Sequence, residues 1–144
     1  MRTKGFLWWV VFSLLVIWQL PEFIVSIIML PFMGKLKVCG DRHFNFCFSS
    51  RAMNGGISLG PFSFVSTYIS DELPDGYIHI CHELDGHTVD SKIFGPLYLF
   101  VIGIPSILNA MFRFTKCYYS FYTERLANKH AGIQVDDNCR LHMQ

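Results

Sequence analysis

Two stretches of this chain are apolar for as long as a bilayer's hydrocarbon core is thick. Phe6 to Leu20 carries no formal charge, Pro21 and Glu22 interrupt, and the apolar run resumes from Phe23 to Met33. Ile93 to Phe112 carries no charge either. A membrane-spanning helix takes about 20 predominantly apolar residues, so both stretches qualify. The expected fold class is a mainly α membrane protein with a small β-hairpin, and the expected first partner is the lipid bilayer. The N-terminal stretch, residues 1–34, has two readings. One is a single tilted span kinked at Pro21, which length alone favours; the other is a re-entrant pair of short helices. The second stretch is broken by Gly95-Pro96 and by Gly103 and Pro105, a pattern tolerated in membranes where backbone is buried or lines a cavity. Basic residues flank both stretches on both sides, so their count assigns no orientation, and two or three spans fit equally. A basic start before an apolar run also resembles a secretory signal. The run is too long for one, and no small-x-small cleavage site follows it.

Charge narrows the function classes. The net charge of +1 builds no basic field of the kind that draws in nucleic acid. The five cysteines are odd in number and match no C-x-x-C metal clip. The expectation is free thiols in a reducing compartment. A Cys39–Cys47 disulfide stays open if that segment lies outside the cytoplasm.

Between the apolar stretches the pattern changes to period two. His43 to Phe48 alternates and puts Phe44, Phe46 and Phe48 on one face. Asn54-Gly55-Gly56 signals a turn, and Ile57 to Val65 reads as a returning strand with Pro61 at an edge or bulge. This predicts a β-hairpin over 43–66, which either caps the helices or offers an edge to an extended peptide. A helix is expected over 77–94 with Asp75 as N-cap, a second over 117–130, and a polar tail over 133–144.

The 77–94 helix concentrates the ligand-type residues. His79, His82, His87, Glu83, Asp85 and Asp90 fall within twelve positions. On a regular helix His79, Glu83 and His87 form one column, continued by Asp90. A polar face with salt bridges would explain the acids but not three imidazoles. A divalent metal is the simplest shared partner for such groups near a membrane. The words His82-Glu83 and Gly86-His87 resemble the H-E-x-x-H helix of zinc peptidases. In that helix two histidines four apart reach one ion, and the Glu polarises water as general base. Here the histidines stand five apart, a rotation of about 140° on a regular helix. A π-bulge absorbing one residue would restore the register. Otherwise Glu83 pairs with His87, or His79 with His87. Downstream, Glu124 and Asn128 are four apart. In the gluzincin class of zinc peptidases, a later helix supplies a Glu as third ligand and an acid four residues on. Glu124 matches the ligand, and Asn128 puts an amide where the orienting acid stands.

Taken together, these segments resemble a family of small bacterial integral-membrane proteins. Its motifs are H-E-x-G-H-x-x-Q-S, then L-G-P-L-Y-L-x-V-I-G-I-P-S, then Y-T-E-x-x-A-N. This chain has His82-Glu83, Gly86 to Ser91, Phe94 to Ser106 and Tyr122 to Asn128, and the likeness covers about residues 15 to 132. The resemblance implies a zincin-like membrane-associated domain over 35–132, zinc as cofactor, a peptide or membrane-protein substrate, and the bacterial inner membrane as location. Two departures stand out: one extra residue before Gly86, and Asp90 where the family has Gln. The expected assignment makes Glu83 the general base and His82, His87 and Glu124 the ligands, with His79 as substitute on a regular helix and Asn128 and Asp90 behind them. The competing expectation is a catalytically inactive protein of the same fold that binds metal or a partner.

Overall fold

The computed structural model describes residues 4–144. Helix α1 (Phe6–Trp18) and helix α2 (Leu20–Met29) meet at Gln19 with a bend of 91°. The chain therefore forms a pair of short helices there rather than one continuous kinked helix. Pro21 sits in the first turn of α2, where its missing N–H costs nothing. Gln19 and Glu22 at the corner are fully buried, and Gln19 Nε2 donates to Ser91 Oγ at 2.8 Å. The Gln19 bond ties this corner to the helix that carries Ser91.

A four-stranded sheet follows: β1 (Leu36–Arg42), β2 (Asn45–Ser50), β3 (Gly56–Leu59) and β4 (Phe62–Ser66), in the order β1-β2-β4-β3. This corrects the hairpin expected over 43–66. The two runs assigned to it, β2 and β4, do neighbour each other but lie parallel, Phe48 opposite Phe64. Each belongs to a separate hairpin, β1 with β2 and β3 with β4. The reason is local. His43 and Phe44 both adopt positive φ and make the β1–β2 turn. Gly60, at φ +63°, makes the β3–β4 turn with Pro61, splitting what read as one strand. The Asn54-Gly55-Gly56 signal belongs to the longer crossover between the hairpins.

The sheet has two unlike faces. Phe46 and Phe48 contact Phe62, Phe48 stacks on Phe64, and Trp8 of α1 stacks on Phe44. So the aromatic stripe read from the alternation does share one face, under α1 and α2. The opposite face presents Asn45, Cys47, Ser58 and Ser63, which are small or polar and let a helix approach closely.

That helix runs from α3 (Gly76–Cys81) through a π turn, His82–His87, into α4 (Thr88–Phe94). Asp75 occupies the N-cap position without a side-chain cap bond. The second apolar stretch breaks at Gly95 and Tyr98, bends by 119°, and ends in α5 (Ile104–Phe112). Helix α6 (Tyr122–Ala131) crosses the π turn. The segment read as a polar tail forms a hairpin, β5 (Ile133–Val135) with β6 (Leu141–Met143), and buries Ile133 and Leu141 against Cys81. Cys117 and Cys139 are joined by a disulfide, which corrects the expectation of five free thiols. Among the described residues no single helix is long and apolar enough to cross a membrane; the two bent pairs reach that length only together.

Candidate metal centre

The five-residue spacing of His82 and His87 is absorbed by the π turn between them. A turn closed by i→i+5 bonds carries one extra residue per turn, so positions five apart return to one face. Side chains satisfy the carbonyls this widening loosens. Ser58 Oγ, whose proton is shared with the Glu83 carboxylate, reaches Glu83 O at 3.1 Å, and the Thr88 hydroxyl donates to Leu84 O. Asn45 Nδ2 in turn donates to Thr88 Oγ1 at 2.9 Å. The sheet's polar face thus stabilises the irregular turn that the sequence requires.

The imidazole rings of His82 and His87 lie 4.9 Å apart, edge to face. Glu124 Oε2 on α6 is 3.0 Å from His82 Nε2 and 3.3 Å from His87 Nε2. One ligand atom from each of the three lies within 4.8 Å of the others, and all three side chains are buried. The His87–Glu124 distance is inside the roughly 4 Å that two ligands about 2 Å from one ion can span. This buried His-His-Glu group could hold a metal ion. Two nitrogens and a carboxylate oxygen suit a transition metal, and three protein ligands leave a coordination position open.

Close helix crossing brings α6 in. A Cβ built on Gly86 would stand 2.7 Å from the Ala127 carbonyl oxygen and 3.0 Å from Ala127 Cβ. Only glycine at 86 allows this approach. Behind the ligands, His82 Nδ1 donates to Asn128 Oδ1 at 2.8 Å, which turns Nε2 toward Glu124. Asp90 Oδ2 is 3.4 Å from His87 Nδ1, and Oδ1 is 2.8 Å from His130 Nδ1. Both contacts are close enough for charge pairing but are not aligned as hydrogen bonds. His130 on α6 is largely buried and faces this acid.

Burial alone would raise the Glu124 carboxyl. Hydrogen bonds from His82 and His87 outweigh it and hold this acid well below the ordinary carboxylate range. Ser106 Oγ donates to Glu124 Oε1 at 2.5 Å, and Thr123 Oγ1 donates to the same oxygen at 3.0 Å. The carboxylate is therefore oriented from both ends.

Glu83 stands beside the group with its Oε2 accepting from Ser58 Oγ at 2.7 Å. It lines two cavities. One, of about 350 Å³, also touches Ser58, His87, Tyr98, Ser106 and Tyr118 and is otherwise apolar, walled by α2, β3 and α5. The other, of about 200 Å³, touches His79, His82, Tyr118 and Tyr119. Strand β3 is an edge strand of the sheet. Gly55 O accepts from Ser66 N, so in antiparallel alternation the main chain of Gly56 and Ser58 turns to the open side.

His79 is not brought into the group. Its Nδ1 accepts from the Tyr119 hydroxyl at 3.2 Å, and its Nε2 lies 3.6 Å from Asp75 Oδ2. The substitute ligand is needed only on a regular helix, and this helix is not regular. Sequence reasoning assigned no site role to Ser58, Ser106, Tyr118 or Tyr119. Burial holds both phenols well above their ordinary range, so they line the cavities as O–H donors. The Gly103-Ile104-Pro105-Ser106 break inside the second apolar stretch was the available signal for Ser106.

Comparisons with protein-family models, with curated proteins and with solved structures give no match.

Proposed function

We propose that this protein is a membrane-embedded, zinc-dependent peptidase-like hydrolase. The observation that carries the reading is the π turn, which sets His82 and His87 against Glu124 despite their five-residue spacing. A zinc ion held by these three would polarise a peptide carbonyl and acidify a water toward a pKa of about 7. Glu83 is the general base: it adjoins the ligands, faces both cavities, and is steered by Ser58. Asn128 holds the His82 imidazole in orientation, and Asp90 places a charge beside His87 Nδ1. The open edge of β3 is a place for an extended peptide to pair along the main chain, with one side chain in the apolar cavity.

The bacterial inner membrane is the proposed location. Helix α1 buries none of its residues; Phe6, Leu7, Leu14 and Ile17 are each more than half exposed. Phe100, Met111 and Phe112 are as exposed on the other bent pair. Apolar faces of this extent mark a membrane or a partner surface. The Cys117–Cys139 disulfide supports placing the C-terminal part on the oxidising face.

Two experiments test these readings. Purified protein is expected to carry one zinc per chain, and Glu83→Gln is expected to keep the zinc while abolishing peptide cleavage. Zinc without any cleavage by the native chain would instead leave the inactive, metal-binding alternative. For location, the protein should float with liposomes in a density gradient and resist extraction by high salt. Recovery in the soluble fraction would end the membrane reading.

A further inference from the structure

Cys39 and Cys47 take no part in the proposed chemistry, yet the fold sets them against each other. Strands β1 and β2 pair Val38 with Phe48 and then Gly40 with Cys47, so Cys39 is the extra residue of a β-bulge facing Cys47. Their sulfurs are 2.9 Å apart, closer than two unbonded thiols ordinarily rest. Cys47 is fully buried, whereas Cys39 is partly exposed. The remaining free thiol, Cys81, lies in a different cluster with Ile133 and Leu141. The chain already contains one oxidised pair, so its surroundings can oxidise a second.

The pair also has a structural address. Cys47 packs with Val65 and Leu84, with Cys39 and Ile80 around them. Leu84 is the middle of the π turn between His82 and His87. A Cβ built on Gly40 would meet Leu84 Cδ2 at 3.1 Å, so the bulge lies directly under that turn.

We propose that Cys39 and Cys47 form a redox-active dithiol that a small-molecule disulfide converts into a second, cross-strand disulfide beneath the metal helix. The order follows from exposure. The Cys39 thiolate attacks one sulfur of the external disulfide and expels the first thiolate, leaving a mixed disulfide on Cys39. Cys47 then attacks the Cys39 sulfur, forming the internal bond and expelling the second thiolate. The protein loses two electrons and two protons; the external disulfide gains both and leaves as two thiols. Contact with Cys47 lowers the Cys39 thiol below its ordinary value, the contact outweighing burial, which suits Cys39 for the first attack. The site does not depend on whether the neighbouring group binds zinc.

The test uses the full chain with its Cys117–Cys139 bond intact, equilibrated in glutathione buffers from reducing to oxidising. Each sample is acid-quenched, alkylated after unfolding, weighed and peptide-mapped. Three alkylated thiols are expected at the reducing end and one, on Cys81, at the oxidising end, with a linked 39–47 peptide. Cys47→Ser should instead retain glutathione on Cys39, and Cys39→Ser should leave Cys47 unmodified in the folded protein. Native protein that keeps both thiols alkylatable in oxidising buffer, that stops at a stable glutathione adduct, or that links either cysteine to Cys81 would overturn the proposal.

Discussion

Replacing Gly86 by alanine tests the geometry of the metal centre without touching a ligand. The added Cβ would stand 2.7 Å from the Ala127 carbonyl oxygen, where ordinary contact begins at 3.4 Å. The obstacle is backbone, so no side-chain rotation relieves it. Helix α6 must withdraw from the π turn by about 0.7 Å, the shortfall between those distances. Glu124 lies one turn before Ala127 on the same helix and moves with it. Metal–ligand distances tolerate about 0.2 Å, so the displacement is several times what the centre can absorb. Zinc affinity should fall roughly tenfold to a hundredfold, the scale of a mis-set ligand. Stability is a poorer readout, since overpacking costs about 1–3 kcal/mol while alanine regains up to about 1 kcal/mol of helix propensity. The assay is therefore chelator competition for zinc, with Gly5→Ala as control because nothing lies within 4 Å of a Cβ there. Undiminished affinity in Gly86→Ala would refute the argument that the close helix crossing positions Glu124.

Asn128→Ala should also weaken zinc binding by about tenfold to a hundredfold, because His82 loses the acceptor that orients it. Asn128→Asp should retain binding, since a carboxylate accepts the same Nδ1 proton; equal loss in both would point to a packing role instead. For the zinc-free protein, acidification should be destabilising. Glu124 is depressed below its ordinary value of 4.5 in the folded state. Its stabilisation is complete above that value and is lost as pH falls toward the folded pKa. Urea midpoints measured from pH 7 to pH 3 should drop below about 4.5 in the native chain and drop less in Glu124→Gln. Parallel curves for the two would show that other carboxylates govern acid unfolding.

Much of the centre was legible one residue at a time. His82, His87 and Glu124 are chemically conspicuous, and their membership of one group follows from ligand type and from a turn that must absorb one residue. The donors behind that turn were not legible. Ser58 and Thr88 look like any hydroxyls until the sheet is laid against the helix. Asp90 reaches His130 only because α4 and α6 come together. The cysteines show the same limit, since 117 and 139 become neighbours only when the last hairpin folds back.

The linear chain by itself determined what depends on periodicity and composition: two long apolar stretches, an aromatic stripe of period two, a helix crowded with imidazoles and acids. Strand order, the direction in which β2 and β4 pair, and the 91° corner at Gln19 were decided by tertiary packing. The physical reason is that alternation and turn residues specify each strand and its local hairpin. Which hairpins then lie side by side depends on the faces they share, and those exist only once the helices have folded over them.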